Sequence, residues 1–256
     1  MRYCSEAIRS GKLSGRNLAS ALNNRGKAYY SKHDYDLAIQ DYTQAIRLKP
    51  DFPDAFNNRG TAYHANGNYD LAIQDYSEAI QLRPGYATDF ASRGKAYYSK
   101  HDCDRAIHDY KQAIRLTPGD SSLHIALGKA LSEKHDLSSA TAEYREAVRL
   151  SPDNAAGYSA LGDSLIQKGD ADGALAEYRK AAKLDDTNPS YHFSLGDALF
   201  KKRGFNGALA EWQRAFQLVP QMTSPPAPGS RKVSFQERRL GWQHPGVSPG
   251  CADCTR

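Results

Sequence analysis

The sequence predicts an all-α fold, an α-solenoid of stacked helix pairs, and three observations carry that prediction. Glycine stands at positions 26, 60, 94, 128, 162 and 196, a period of 34 residues without an insertion. Small residues, an aromatic and a leucine follow each glycine at fixed offsets. Each period also holds two apolar blocks of helical spacing, about a dozen residues each, divided by a polar turn such as SKHDYD or ANGNYD. A repeat of this length marks supersecondary units that bury their apolar faces only by stacking on one another.

The elements follow in chain order. Residues 1–18 open with CSEAI at 4–8, which parallels YSEAI at 76–80, so the chain starts inside the second helix of a truncated unit. That fragment serves as a front cap or continues sequence lying upstream. The stretch SGKLSGRNLAS that follows is expected to be a linker. Six units then span 19–52, 53–86, 87–120, 121–154, 155–188 and 189–222. Their second helices carry Ala38, Ala72, Ala106, Ala140, Ala174 and Ala208, then the aromatics Tyr42, Tyr76, Tyr110, Tyr144, Tyr178 and Trp212. Proline closes every unit but the fifth, which has Asp186 at that place and Pro189 three residues later. Residues 223–256 form a basic tail rich in Pro, Gly and Ser, a composition that predicts disorder. A short helix near 231–240 is expected to fold back over Leu209 and Phe216; if it does not, that end exposes an apolar patch and invites self-association.

Each recurring offset has a physical reason. A glycine inside a helix costs about 1 kcal/mol of propensity, so glycines at one fixed phase are expected to lie opposite the small alanines of the second helix, where the two backbones approach closely. The aromatic fills the space beside that contact, and the proline stops the second helix. Units one to three place Arg25, Arg59 and Arg93 before the glycine and Asp41, Asp75 and Asp109 in the second helix, which points to ion pairs across the helix pair. Units four to six have Leu127, Leu161 and Leu195 with Glu143, Glu177 and Glu211, a change that also fits a solvated flank. His33, His101 and His135 occupy the turn position that Gly67 and Gly169 fill elsewhere, which predicts a positive φ and not a metal site.

With these residues in phase over 19–222, the chain resembles the tetratricopeptide repeat family, in particular bacterial members with NxRGxAY and YDxAIxDY units. The resemblance implies a right-handed superhelix whose first helices line a concave groove for an extended peptide or a partner's helix. Carried over residue by residue, it assigns partner binding to Asn23, Asn24, Lys27, Tyr30, Asn57, Asn58, Thr61, His64, Ser92, Lys95 and Tyr98. Lys27 and Lys95 favour an acidic segment, and the asparagine amides can both donate to and accept from a peptide backbone. The second half offers Lys129, Ser132, Ser159, Asp163, Ile166, Phe193, Asp197 and Phe200, a more acidic and more apolar surface. One subtype of the family clamps a chaperone's carboxylate with Lys and Asn; of the matching positions Asn23, Lys27, Asn58, Thr88 and Ser92, only Asn58 agrees, which argues against that role.

Composition removes other classes. The net charge is +5, yet residues 1–18 and 223–256 carry +3 each and residues 19–222 carry −1, so the folded body lacks the basic face that nucleic acid requires. No apolar run reaches the roughly 20 residues of a membrane helix, and no secretory leader opens the chain. The chain as written is expected in the cytoplasm; a leader ahead of Met1 would change that. Cys251 and Cys254 make a CxxC with no second half for a zinc site. No GxSxG, HExxH or phosphate-binding loop is present. No catalytic residue, metal or cofactor is expected, and the chain reads as an interaction scaffold. The alternative is a regulatory subunit, or a fragment of a larger enzyme whose catalytic domain lies elsewhere.

Overall fold

The computed structural model describes residues 2–9, 11 and 13–219. Within them the fold is all-α and solenoidal, with no strand. Helix α1 (Arg2–Arg9) is followed by the pairs α2 (Gly15–Tyr30) and α3 (Tyr35–Leu48), α4 (Pro53–Ala65) and α5 (Tyr69–Leu82), and α6 (Ala87–Ser99) and α7 (Cys103–Leu116). Three more follow: α8 (Ser121–Glu133) and α9 (Leu137–Leu150), α10 (Ala155–Gln167) and α11 (Ala171–Leu184), and α12 (Pro189–Lys201) and α13 (Phe205–Leu218). Each helix packs on its pair mate, and each second helix packs on the first helix of the next pair. Contact is therefore local in sequence throughout, as in any repeat stack.

The chain divides into a unit spanning Met1–Leu218 and a second spanning Val219–Arg256. The expected helix near 231–240 and the CxxC at Cys251 and Cys254 lie outside the described residues.

The front end differs from expectation in one respect. α2 begins at Gly15, so GRNLAS is the first turn and a half of a helix and not a stretch of linker. The reason is packing: Leu18, Ala19 and Leu22 form an apolar stripe that closes on Ile8 of α1, and burying that stripe favours helix over coil. α1 thus stands where the second helix of a preceding pair would stand.

The glycines are explained by the ring and only secondarily by the alanine. A methyl group built at Gly26, Gly128 or Gly162 would lie 2.5–2.6 Å from Cε1 of Tyr42, Tyr144 or Tyr178, and at Gly196 it would meet Trp212 at 2.5 Å. The expected backbone approach to the alanine is present too, since the Ala72 and Ala208 carbonyls lie 3.2 Å from such a methyl at Gly60 and Gly196. The missing side chain is first of all a seat for the aromatic ring.

The turns behave as the sequence implied. His33, His101 and His135 have φ of 64°, 59° and 62°, Arg203 has 61°, and Gly67 and Gly169 have 76° and 84°. From α7 to α12 the helices are also capped: Asp102, Asp120, Asp136, Asn154, Asp170 and Asn188 each accept a hydrogen bond from a first-turn N–H.

Two modes of cohesion run through the stack. From Tyr97 to Ala198 one continuous apolar cluster joins neighbouring pairs, with Leu127, Leu161 and Leu195 at its centre. Ahead of it the apolar interior is broken into three small clusters. There, Arg25, Arg59 and Arg93 occupy the leucine position and bind Asp41, Asp75 and Asp109 in two-pronged pairs of 2.7–2.9 Å. Arg59 and Arg93 also donate to Thr43 and Ser77 of the preceding pair, both at 3.1 Å, so each guanidinium joins two units. The flank reading of these acids fails: Asp41, Asp75 and Asp109 are 1–4% exposed. Where the arginine is lost the acid changes partner, with His124 Nδ1 2.7 Å from Glu143 and His192 Nδ1 2.7 Å from Glu211.

At the far end, the positions that pack against a following pair in the earlier units are bare. Leu209 is 55% and Phe216 68% exposed.

Candidate functional site

The face assigned to partner binding is built by the first helices of successive pairs. α2 touches α4, α4 touches α6, α6 touches α8 and α8 touches α10, so their side chains form one connected surface. Along it, the residue immediately after each repeat glycine projects outward: Lys27, Lys95, Lys129, Asp163 and Asp197 are exposed and Thr61 is half-buried. The second-helix aromatic, seated on the glycine, reaches this same row with its polar tip. Tyr76 donates its hydroxyl to Thr61 at 3.2 Å, Tyr178 to Asp163 at 2.7 Å, and the Trp212 indole to Asp197 at 3.0 Å. Each ring is therefore apolar at its base and a hydrogen-bonding group at its end.

A cavity of about 420 Å³ opens on this face, with Tyr98, Lys129, Ser132, Glu133, Tyr144, Asp163 and Gln167 in its walls. Protein crowds Asp163 from several sides although its side chain still reaches solvent. That crowding raises its carboxyl above the usual aspartate value, against the lowering effects of the Tyr178 hydroxyl and of Lys129. Burial likewise pushes Tyr76 up to about 12, keeping its hydroxyl a donor.

The predicted contact residues divide into two groups. Asn24, Lys27 and Lys95 are exposed on the face; Tyr30, Ser92 and Tyr98 are half-buried along it. Tyr30 lies against Tyr35, with ring centroids 5.3 Å apart. The others hold the stack together. Asn23 is 4% exposed and accepts from Asn58 Nδ2 at 2.9 Å, and Asn57 donates to Asp89 at 2.7 Å. His64 meets Ser99 Oγ at 3.0 Å, and Thr61 bonds back to the Asn57 carbonyl. The Asn23 amide is thus buried between units and not open to a peptide, contrary to expectation.

In the second half, Lys129, Ser132 and Asp163 share the cavity, while Phe193 and Phe200 belong to the aromatic end of the stack. Phe193 packs edge-on against Phe216 at 5.3 Å, and Phe200 against Phe205 at 5.5 Å. Ser159 and Ile166 are half-buried on α10.

Sequence reasoning missed a regular set of contacts between neighbouring units. His64 with Ser99 and Ser132 with Gln167 repeat one geometry at a separation of 35 residues. On the turn edge Asn66 pairs with Asp36, Lys100 with Asp70, Lys134 with Asp104 and Lys202 with Asp172, each at a separation of 30. Separations of one period plus one, or one period minus four, were the signal available. Asp89, wholly buried and held by Asn57 and Arg83, had no such signal because its partners do not recur.

At the turn edge a cavity of about 580 Å³ is lined by Lys100, His101, Cys103, Glu133 and Lys134, with His101 Nδ1 2.6 Å from Glu133. Burial and the neighbouring Glu133 push the Cys103 thiol up, the reverse of what a nucleophile needs. Among the described residues no group of three or more His, Cys, Asp and Glu side chains is arranged to hold a metal ion, and no helix is long and apolar enough to cross a membrane.

Three family models match the chain. One described as TPR repeat covers residues 26–67 and 162–202, and two described as tetratricopeptide repeat cover 53–86 and 92–155. No curated protein matches. Among solved structures, pilF of Pseudomonas aeruginosa is 18% identical, with 89% of this chain and all of that one covered and a TM-score of 0.69. MamA of Desulfovibrio magneticus RS-1 is 19% identical over 66% of this chain and 96% of its own, with a TM-score of 0.61. YrrB, described as a TPR protein with an unusual peptide-binding site, is 20% identical over 71% of this chain and 93% of its own, with a TM-score of 0.55. At these identities the likeness is one of fold. The period, the seated aromatic and the family matches make the chain a member of the tetratricopeptide repeat family, whose fold serves as a scaffold for protein–protein interaction.

Proposed function

We propose that the chain is a non-catalytic scaffold that holds an extended peptide or partner segment on the face formed by α2, α4, α6, α8, α10 and α12. The observation that carries this reading is the row one residue after each glycine, outward-facing in five of its six places, with aromatic tips beside it. Polar groups at regular intervals over rigid aromatic bases suit a backbone ligand, because aromatic anchors add contact area at little conformational cost. The description of YrrB as peptide-binding supports the same reading. The contact set is Asn24, Lys27, Tyr30, Ser92, Lys95 and Tyr98, with Asn58 reaching the ligand only from the side of its amide not given to Asn23. The bare Leu209 and Phe216 support a second contact, between copies of the chain at the carboxyl-terminal end.

The test is a pull-down in which wild type is compared with Asn24→Ala/Lys27→Ala/Lys95→Ala/Tyr98→Ala, and with Leu37→Ala/Leu71→Ala as a control on exposed second-helix positions. Loss of partners from the first variant alone is the expected result. Identical partners from all three would overturn the assignment of this face.

A further inference from the structure

The row after the glycines changes sign once along its length. It runs Lys27, Thr61, Lys95, Lys129 and then Asp163, Asp197, and the change falls inside the cavity that Lys129 and Asp163 share. A second row on the same face, four residues after each glycine, changes character at the same place: Tyr30, His64, Tyr98 and Ser132 give way to Ile166 and Phe200. Two independent positions of the repeat therefore divide the face between the fourth and fifth units, one by charge and one by polarity.

The two acids are held in place. Asp163 and Asp197 each accept a hydrogen bond from the aromatic tip of their own second helix, which fixes one oxygen and leaves the other directed elsewhere. In units one, three and four the position of Asp163 and Asp197 is held by Lys27, Lys95 and Lys129, and the second-helix tyrosines of those units, Tyr42, Tyr110 and Tyr144, are buried and have no acid at the matching position. A carboxylate of a ligand meets a lysine ammonium there, and the same ammonium repels a ligand cation.

We infer that the occupant of this face is a single protein segment with segregated charge: an acidic stretch over units one to four, followed by basic residues flanking an apolar side chain over units five and six. The inference rests on the reading of this face as a peptide site and adds the order of charges in the ligand. Units stack at about 10 Å, so Lys27 and Asp197 are about 50 Å apart along the face, the reach of about 15 extended residues. An acidic segment alone would place its far end against Asp163 and Asp197, and like charges across an interface are discriminated against.

The experiment uses the full chain and three fluorescent peptides of about 18 residues. The first carries glutamates in one half and lysines around two leucines in the other. The second has the same composition with alternating charge, and the third is acidic throughout. Fluorescence anisotropy at low salt should show the segregated peptide binding about tenfold more tightly than either other. In Asp163→Lys/Asp197→Lys the preference should pass to the acidic peptide. Asp163→Asn/Asp197→Asn keeps the acceptors for Tyr178 and Trp212 and should abolish the preference without creating the new one. Equal binding of segregated and alternating peptides, or an unchanged preference in the lysine variant, overturns the charge order while leaving the peptide site standing. Absence of binding by all three overturns the peptide site itself.

Discussion

Arg59 grips Asp75 with two hydrogen bonds of 2.8 and 2.7 Å while its remaining amino group donates to Thr43 of the preceding unit. One side chain thus closes a helix pair and fastens it to its neighbour. Burial raises the Asp75 carboxyl, opposed by that guanidinium. Replacing Arg59 by Leu leaves a carboxylate 3% exposed without its counter-ion, so stability should fall by about 3 kcal/mol. Arg59→Leu/Asp75→Asn should recover some of the loss, since the charge is then gone. Denaturant midpoints of the single and double variants measure both effects, and an Arg59→Leu midpoint equal to wild type would refute the pairing.

Alanine scanning of the repeat glycines should give graded results. At Gly128 the added methyl would lie 2.5 Å from the Tyr144 ring; at Gly94 it would lie 3.0 Å from the Tyr110 ring. Overpacking costs about 1–3 kcal/mol, against about 1 kcal/mol gained in helix propensity. Gly94→Ala should therefore be close to neutral and Gly128→Ala clearly destabilising. Thermal melts of both would settle the order, and the reverse order would remove the ring-seat explanation.

How much of this was legible in the sequence follows from where each contact partner lies. The helix pairs and the recurring glycine and aromatic were visible because interior positions of a one-dimensional stack must repeat, so Gly26 and Tyr42 announce themselves through five further copies. That the ring and not the alanine sits on the glycine was not visible. The turn histidines were legible because glycine alternates with them at one place. The burial of Asn23 was not legible because it depends on Asn58, one period and one residue away, and a helical wheel drawn on one unit cannot show that neighbour. The early start of α2 escaped notice because α1, not local propensity, makes those residues helical.

A turn substitution tests the left-handed position. His135 has φ 62° and is exposed. His135→Gly should raise stability by about 0.5 kcal/mol, the relief of strain less the entropy glycine loses on folding. His135→Val should lower it by about 1–2 kcal/mol, because a β-branched residue tolerates that backbone worst. Calorimetric midpoints of the two variants moving in the same direction would count against this account.

Asp163 carries a pH signature. Its carboxyl is raised in the folded chain relative to the unfolded one, so the folded state holds its proton more tightly. The sign is then fixed: ionised Asp163 opposes folding above its folded pKa, and that opposition vanishes as pH falls below the unfolded value. Asp163→Asn should accordingly melt higher than wild type at neutral pH, with the difference shrinking on acidification. A difference that grows toward acid, or a lower neutral melting point for the variant, would contradict the raised carboxyl.

The break between arginine-stitched and leucine-filled interiors has a mechanical corollary. In a chain of nearest-neighbour couplings, the strength of each joint decides whether segments detach singly or together. The amino-terminal pairs, with separate small cores and discrete polar fasteners, should come away in succession, whereas the stretch from Tyr97 to Ala198 should yield as a block. Among the described helices, the amino-terminal pairs would then be the first to loosen and the later pairs the last.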